Sequence, residues 1–413
     1  MKDMMKTLLP IALLAALTTF GQNPLCDGTR FLEDSFELDS TMNVVYGNST
    51  SIGGINADLQ MDIYEPAEDE AELRPLIILA HGGSFIAGSK EDMHSLCRTF
   101  ARKGYVVATI DYRLFDGPFI PLPDSTILSE VVIKAVSDAK AAVRFFKEDA
   151  DTDNAYRIDP NLVIVGGISA GAILMGHVAY LDPTDDVEPM ILDHIESNGG
   201  WDGNSSDNTS YDTQVHGLLN YSGALRSSSY IQVGDAPLLS AHDDMDGVVP
   251  YGDGNATILT IPIIGLQGSS LMHEQAQALD IESNLITIEN STGHVSYFGN
   301  QEGSDLVLGQ SFNFLHNIIC GASLGLAAEV ETVEINVFPN PASHLFSIEI
   351  NSNFQSGSLR IFNMLGAKIY EENIRNSASI LQIDCSDFAT GVYTVQLIST
   401  NQDALGIAKM MIE

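Results

Sequence analysis

The sequence predicts an α/β fold with a mostly parallel β-sheet flanked by helices, followed by a small all-β sandwich. Between about residues 44 and 320, short apolar runs alternate with longer segments whose apolar residues recur at helical spacing. The short runs are apolar on both faces, which is typical of strands covered by helices. Beyond residue 334 the apolar residues recur at every second position, as they do in antiparallel strands with one buried face.

Six apolar runs are the best candidate strands of the parallel sheet. A parallel pair needs a crossover connection, and residues 127–148 carry apolar residues at helical spacing between the second and third runs. We therefore expect a crossover helix there. The six predicted strands cover residues 76–80, 106–110, 162–165, 216–221, 237–241 and 285–289.

The length of 413 residues exceeds the roughly 100 to 200 of one ordinary domain. We expect a large α/β domain over residues 22–320 and a β-sandwich of about seven short strands over residues 334–413. Residues 321–333 between them are small and acidic, which predicts a linker.

The charge balance excludes one class of partner. Nineteen Lys and Arg against 55 Asp and Glu give a formal charge of −36, which repels phosphate backbones and anionic membrane surfaces. Nucleic-acid binding is therefore not expected.

The first 21 residues have the layout of a secretory signal peptide. Lys2 and Lys6 precede an apolar run over residues 8–17, and small residues then lead to a predicted cleavage before Gln22. The run is too short to span a bilayer, and no other stretch approaches about 18 apolar residues. We expect an exported protein without a transmembrane segment.

Four cysteines would then enter an oxidising compartment, where disulfides can form. We expect a bridge between Cys26 and Cys97, because it would tie the free N-terminal end to the large domain. A Cys97–Cys320 bridge and four buried unpaired thiols are the alternatives, and Cys385 is the fourth cysteine. The cysteine spacing fits no metal-binding pattern.

The segment Gly167-Ile168-Ser169-Ala170-Gly171 follows a predicted strand and opens a predicted helix. In this context a GxSxG motif forms a turn so tight that its serine hydroxyl stands exposed at the strand tip. Ser169 is therefore the candidate nucleophile.

A serine hydroxyl becomes a good nucleophile only when a base takes its proton, and a histidine usually does so. Most histidines downstream of Ser169 in the large domain lie inside helical or strand patterns. His294 instead lies in a turn just after the strand predicted at 285–289, so it is the candidate base. The other histidines considered are His177, His194, His216, His242, His273 and His316.

A carboxylate should orient that histidine, and three aspartates follow the strand predicted at 237–241. Asp246 lies four residues past His242 and just before a Val-Val-Pro turn, so we assign the acid to Asp246, with Asp244 as the alternative. Asp243 and Asp244 are expected to be solvated turn residues.

Donors for a developing oxyanion are expected from the turn His81-Gly82-Gly83-Ser84-Phe85 after the first predicted strand. The backbone N–H groups of Gly83 and Ser84, together with that of Ala170, form the predicted oxyanion hole. The apolar loop over residues 114–121 is expected to wall the substrate pocket. This chemistry needs no cofactor and no metal.

These motifs together resemble the α/β-hydrolase superfamily, in its carboxylesterase and hormone-sensitive-lipase-like branch. The resemblance implies a serine esterase that forms an acyl-enzyme; a peptidase of the same superfamily and a non-catalytic binding module are the alternatives. Two positions depart from the family pattern, because Ser84 replaces the third glycine of HGGG and Asp243 replaces a usual glycine. The motifs are HGGSF, DYRL, GISAG, HDDMDGVVP and a late GH, in this chain order.

The C-terminal region resembles a second family, the sorting domain of the Bacteroidetes type IX secretion system. The matching segments are VFPNPA, LRIFNMLG, GVY and a terminal strand with Lys409. The resemblance implies recognition by the type IX secretion machinery and a secreted or cell-surface location. A carbohydrate-binding β-module is the alternative.

Overall fold

The computed structural model describes residues 25–118, 120, 122–321, 335–350, 356–363, 368–375, 381–386, 388–399 and 404–412. The chain divides into two compact units, Met1–Ser323 and Leu324–Glu413. The predicted signal peptide and all but the first residue of the predicted linker lie outside the described residues.

The large unit is built on an eight-stranded sheet, and each of the six predicted strands falls within it. The strand order is β1-β2-β4-β3-β5-β6-β8-β11; β2 pairs antiparallel with β1 and β4, and the remaining pairs are parallel. The predicted α/β fold class is confirmed. The strands of this unit are β1 Leu38–Thr50, β2 Asn56–Pro66, β3 Arg74–Ala80, β4 Val106–Ile110, β5 Ile158–Ile168, β6 Gly217–Tyr221, β7 Ala224–Leu225, β8 Leu238–Asp243, β9 Asp253–Ile258, β10 Ile261–Gly268 and β11 Ser283–Ile288.

Helices cover both faces of this sheet. The long helix α2 is the predicted crossover, and Asp124 caps it by accepting a hydrogen bond from the N–H of Ile127. Alternate residues of β3 face opposite ways: Leu76 and Ile78 pack with the α2 and α3 side, whereas Ile77 packs with the α1 and α6 side. Two cores therefore flank one sheet, which explains why the strands are apolar on both faces. The helices are α1 His94–Ala101, α2 Ser125–Asp151, α3 Ala170–Tyr180, α4 Pro189–Ser197, α5 Ser269–Ala278 and α6 Gln301–His316.

A second, smaller sheet was not predicted from the sequence. Strands β9 and β10 form an antiparallel hairpin, and β7 pairs with the other edge of β10. The two turn residues, Leu259 and Thr260, both have left-handed φ values, 50° and 68°. Such a turn usually carries Asn or Gly, so the sequence lacks the signal by which a hairpin is normally recognised.

The predicted Cys26–Cys97 disulfide is wrong. Cys26 is bonded to Cys320, 294 residues away, with 5.8 Å between the two Cα atoms. Cys97 lies on the buried side of α1 among apolar side chains, where burial raises the pKa of its thiol. Cys385 is likewise buried and free. The bridge links the two ends of the large unit.

The small unit has two antiparallel sheets, in the orders β12-β13-β16 and β15-β14-β17-β18. Its core is formed by alternate strand residues such as Phe346, Ile348, Leu359 and Val395. This arrangement agrees with the predicted sandwich of about seven strands. The strands are β12 Ile335–Phe338, β13 Leu345–Ile350, β14 Ser356–Asn363, β15 Lys368–Arg375, β16 Leu381–Asp384, β17 Gly391–Ser399 and β18 Ala404–Ile412.

Within the described ranges, no helix combines the length and the apolar character that crossing a membrane requires.

Candidate active site

Ser169 occupies the sharp turn between β5 and α3, with φ 56° and ψ −119°. A Cβ on Gly167 would lie 2.4 Å from the carbonyl carbon of Gly171, and one on Gly171 would lie 2.1 Å from the carbonyl oxygen of Ala80. Both positions therefore exclude any side chain, which explains the two glycines of the motif. The turn holds Ser169 at the carboxyl end of the sheet, where ligands of open α/β sheets bind.

A chain of hydrogen bonds runs from Ser169 through His294 to Asp246. Nε2 of His294 lies 2.7 Å from Oγ of Ser169, and Nδ1 lies 2.6 Å from Oδ2 of Asp246. The Asp246 side chain is fully buried, whereas the imidazole is 23% exposed. The structure thus brings together the three side chains predicted as nucleophile, base and acid. This order suits proton transfer from the serine to the histidine.

The surroundings of Asp246 favour its ionised form. Burial alone would raise the pKa of this carboxyl, but hydrogen bonds from His242, His294 and the Val248 N–H hold it well below its usual range. Oδ1 accepts from the N–H groups of Val248 at 2.7 Å and Val249 at 3.2 Å. The carboxylate is therefore a fixed negative charge beside the imidazole.

His242 is a member of this network that the sequence reasoning missed. The ring is fully buried, and its Nε2 lies 3.1 Å from the carbonyl oxygen of Val249 and 3.4 Å from Oδ2 of Asp246. Its Nδ1 lies 2.7 Å from Oγ of Ser269 on α5. The four-residue spacing between His242 and Asp246 was visible in the sequence and is the signal that could have identified the pair.

Asp243 is not the solvated turn residue that the sequence suggested, whereas Asp244 lies in the turn after β8 and is partly exposed. Asp243 is fully buried and binds Ser291 and Ser296. Asp244 accepts the N–H groups of Asn290 and Ser291, each at 2.9 Å, and is thus engaged by backbone rather than by His294. Because β8 and β11 are parallel neighbours, their carboxyl ends carry these two loops side by side.

The glycine-rich turn that carries two of the predicted oxyanion donors lies against Ser169. A Cβ on Gly82 would lie 3.4 Å from the Cβ of Ser169, so the glycine-rich turn passes directly against the nucleophile. Gly83 and Ser84 have left-handed φ values of 116° and 56°. Within the described part of the chain, the N–H groups of Gly83, Ser84 and Ala170 donate to no protein acceptor. They are therefore free to bind a negatively charged oxygen.

His81 and Tyr112 brace this turn. Nδ1 of His81 lies 2.7 Å from the carbonyl oxygen of Gly82, and burial lowers the pKa of the ring. Tyr112 stacks on His81 with 4.4 Å between ring centroids, and its hydroxyl donates to the His81 carbonyl oxygen at 2.7 Å. The donors are thus held in place before any substrate arrives.

A cleft with about 800 Å³ of empty space, part of it open to solvent, leads to Ser169. Its walls come from α2, α3 and the β9–β10 hairpin. The described residues of loop 114–121 do not line it, so the expectation is wrong for them; Phe119 and Pro121 lie outside the described residues. The apolar lining includes Phe85, Leu128, Val132, Ile133, Ile173, Leu181, Ile191, Val248, Val249, Ile258, Ile263, Ile264 and Leu266.

The polar groups that line the cleft carry little net charge into it. Burial lowers the pKa of His177 to about 4, so its ring is neutral near pH 7. Arg226 forms an ion pair with Glu188 at 2.7 Å, and its Nη1 donates to the carbonyl oxygen of Gly265 at 2.5 Å. Among the described residues, no group of three or more His, Cys, Asp or Glu side chains is arranged to hold a metal ion.

Comparisons with known proteins agree with this architecture. Residues 61–260 match the BD-FAE family, and residues 336–413 match the secretion system C-terminal sorting domain family. Both resemblances indicated by the motifs are thereby confirmed: the first segment is an esterase-like α/β-hydrolase domain, and the second is a type IX sorting domain.

Curated relatives match only part of this chain. It is 36% identical over 113 residues to the probable isoprenylcysteine alpha-carbonyl methylesterase ICME of Oryza sativa subsp. japonica, which covers 27% of this chain and 23% of that protein. It is 33% identical over 132 residues to the carboxylic ester hydrolase LipN of Mycobacterium tuberculosis, which covers 32% of this chain and 31% of that protein. The chain thus spans less than a third of the length of these relatives.

Among solved structures, the chain is similar to Thermogutta terrifontis esterase 2 phosphoramylated by tabun. The TM-score is 0.49 at 20% identity, and the match covers 68% of this chain and 94% of the other.

Proposed function

We propose that this protein is an exported serine esterase, which hydrolyses carboxylic esters through Ser169, His294 and Asp246. The observation that carries the proposal is the hydrogen-bonded chain of these three side chains, 2.7 Å and 2.6 Å long at its two links, at the mouth of an apolar cleft. The family match of residues 61–260 supports the same class of reaction.

In the proposed reaction, Oγ of Ser169 attacks the ester carbonyl carbon while Nε2 of His294 takes the hydroxyl proton. The carbonyl oxygen becomes an oxyanion, bound by the N–H groups of Gly83, Ser84 and Ala170. The intermediate collapses when His294 returns the proton to the departing alkoxide, which leaves as an alcohol. Ser169 then carries the acyl group.

Water completes the cycle. His294 takes a proton from a water molecule, whose oxygen attacks the acyl carbon, and the second tetrahedral intermediate expels Ser169 as it regains its proton. The carboxylic acid is the second product. Asp246 stays ionised throughout and stabilises the imidazolium that forms twice in each cycle.

The cleft favours an ester with an uncharged, apolar acyl or alcohol group. Its walls are almost entirely aliphatic, so they offer burial rather than hydrogen bonds to the part of the substrate that they cover. A small ester and a chain end of a polymeric ester both present such a group beside a carbonyl.

The C-terminal unit supports export. Its match to a sorting domain suits recognition by the type IX secretion machinery and a secreted or cell-surface location. We propose that residues 1–21 act as the signal peptide for the first export step, that residues 22–320 form the catalytic domain, and that residues 334–413 form the sorting domain beyond a linker over residues 321–333.

The test is hydrolysis of p-nitrophenyl esters of increasing chain length, alongside acetylated xylan and a peptide substrate. Ser169→Ala should remove nearly all turnover and also the labelling by a fluorophosphonate, with an unchanged circular dichroism spectrum. Ser95→Ala, on exposed α1 surface, is the matched control and should behave as the wild type. Turnover retained by Ser169→Ala would contradict the proposal, peptide cleavage would favour the peptidase alternative, and complete inactivity would favour a binding module.

A further inference from the structure

Asp243, the last residue of β8, carries a carboxylate with an unusual set of partners. The side chain is fully buried. Oδ1 accepts the hydroxyl groups of Ser291, at 2.5 Å, and Ser296, and Oδ2 accepts the Ser296 N–H at 3.0 Å. None of the ion pairs formed by the described residues involves Asp243. Donors of one short segment therefore solvate this buried carboxylate.

That segment is the histidine loop, residues 289–296, and Ser291 and Ser296 stand on either side of His294. Val295 has φ 57°, a left-handed conformation that a β-branched residue adopts only under constraint. A Cβ on Gly293 would lie 2.6 Å from the Cβ of Ser296, so the loop closes tightly on itself. Asp243 binds this loop on both sides of His294, whereas Asp244 binds only its first part, at Asn290 and Ser291.

We propose that Asp243 is a positioning residue, which fixes both sides of the histidine loop and thereby holds His294 within reach of Ser169 and Asp246. The inference rests on the proposed function, because it concerns the proposed base. The imidazole itself makes hydrogen bonds with Ser169 and Asp246, and it is 23% exposed. Its place therefore also depends on the loop backbone, which Asp243 binds on both sides of His294.

Asparagine at this position would keep the shape of the side chain but lose its charge and one acceptor oxygen. With the amide oxygen on the Ser296 N–H, the NH₂ group would face both serine hydroxyls, which would have to turn from donors into acceptors and lose their bonds to a charged oxygen. The contacts on both sides of His294 would be weakened. A displacement of about 1 Å can cost roughly a hundredfold in rate, whereas the cleft that binds the ester is formed by other elements. We expect kcat to fall about 10- to 100-fold with KM within about twofold.

The experiment compares Asp243→Asn, Ser291→Ala and Ser296→Ala in the full chain, with Asp153→Asn as a matched control. Asp153 is an exposed carboxylate at the loop after α2, so its neutralisation should leave kcat unchanged. The serine variants each remove one hydroxyl donor and should lower kcat about 3- to 10-fold at unchanged KM. When either serine substitution is combined with Asp243→Asn, the loss of kcat in the double variant should be smaller than the product of the two single losses, because all three side chains act through one contact.

A second readout does not depend on turnover. The Nδ1 proton of His294 lies in the short contact with Asp246 and should give a downfield proton resonance, which should broaden or shift in Asp243→Asn but not in Asp153→Asn. Folded variants with kcat within about twofold of the wild type and an unmoved resonance would overturn the inference. An inactive wild type would overturn the proposed function instead, and the resonance would still test the contact.

Discussion

Replacing Asp246 with asparagine should stop catalysis by fixing His294 in the wrong protonation state. Oδ1 of Asp246 accepts the N–H groups of Val248 and Val249, so an oxygen is required at that position. The NH₂ group of asparagine must then occupy the place of Oδ2, 2.6 Å from Nδ1 of His294. Two donors cannot face each other there, so the imidazole takes the tautomer that is protonated on Nε2. That nitrogen can no longer accept the Ser169 proton.

The magnitude follows from this change of tautomer. The variant should lose about 10³- to 10⁴-fold in kcat, which corresponds to roughly 4 to 5.5 kcal/mol of transition-state stabilisation. Asp244→Asn is the comparison, since Asp244 is the alternative acid and accepts the N–H groups of Asn290 and Ser291 in the histidine loop. Its kcat should fall by no more than about tenfold, because asparagine keeps one of the two acceptors and Asp243 still binds the same loop.

The assay is steady-state hydrolysis of p-nitrophenyl butyrate at pH 7 to 8, with thermal unfolding measured in parallel to confirm that both variants are folded. KM should change little in either. If Asp246→Asn kept more than a tenth of the wild-type kcat, or if Asp244→Asn were the more damaging change, the assignment of the acid to Asp246 would be wrong.

Four further outcomes are expected. Replacing Cys26 and Cys320 together with serine should lower stability by about 2 to 4 kcal/mol in a denaturant titration, and a non-reducing peptide map without the bridged peptide would contradict the pairing. Ile258→Trp should narrow the cleft and lower kcat/KM for long acyl chains far more than for the acetate; a uniform loss along the ester series would place Ile258 outside the acyl path. Because the pKa of Asp246 is lower in the folded state, its ionised form stabilises the protein above the unfolded-state pKa, and this contribution disappears as the pH falls toward the folded-state pKa. The difference in unfolding free energy between wild type and Asp246→Asn should therefore shrink between about pH 5 and pH 2 in urea titrations; a constant difference would refute the shift. Truncation after residue 328 should leave kcat/KM for a small ester within about twofold, and a larger loss would show that the small unit contributes to the site.

The sequence was sufficient to predict those elements in which chemistry restricts the residue types that a short segment can carry. Strands such as β3 could be recognised because burial on both faces demands continuous apolar residues. The Ser169 turn could be located because Gly167 and Gly171 admit no side chain. The places of His294 and Asp246 beside Ser169 could be predicted by the same kind of reasoning, since a base and an acid must each follow a strand to reach the edge of the sheet at which Ser169 lies.

Features that depend on distant partners were not predictable in this way. The sequence predicts a solvated Asp243, because Ser291 and Ser296, which bind it, lie 48 and 53 residues further along the chain. The disulfide joins residues 294 apart, a separation at which spacing carries no information about contact. The β9–β10 hairpin turns at Leu259 and Thr260, and neither residue type is one by which a hairpin turn is normally recognised.

The topology explains why so many polar groups can converge beside an apolar cleft. The predicted oxyanion turn follows β3, and Ser169 follows β5. Asp243 is the last residue of β8, Asp246 follows it, and His294 follows β11. Each of these segments therefore leaves the same edge of one sheet. The two buried carboxylates, Asp243 and Asp246, accept hydroxyl, amide and imidazole donors and form no ion pair with lysine or arginine among the described residues. Arg226 does line the cleft, but it is paired with Glu188, which weakens its attraction for an anionic substrate. In a chain of formal charge −36, we therefore expect the proposed esterase to hydrolyse uncharged esters faster than acidic ones.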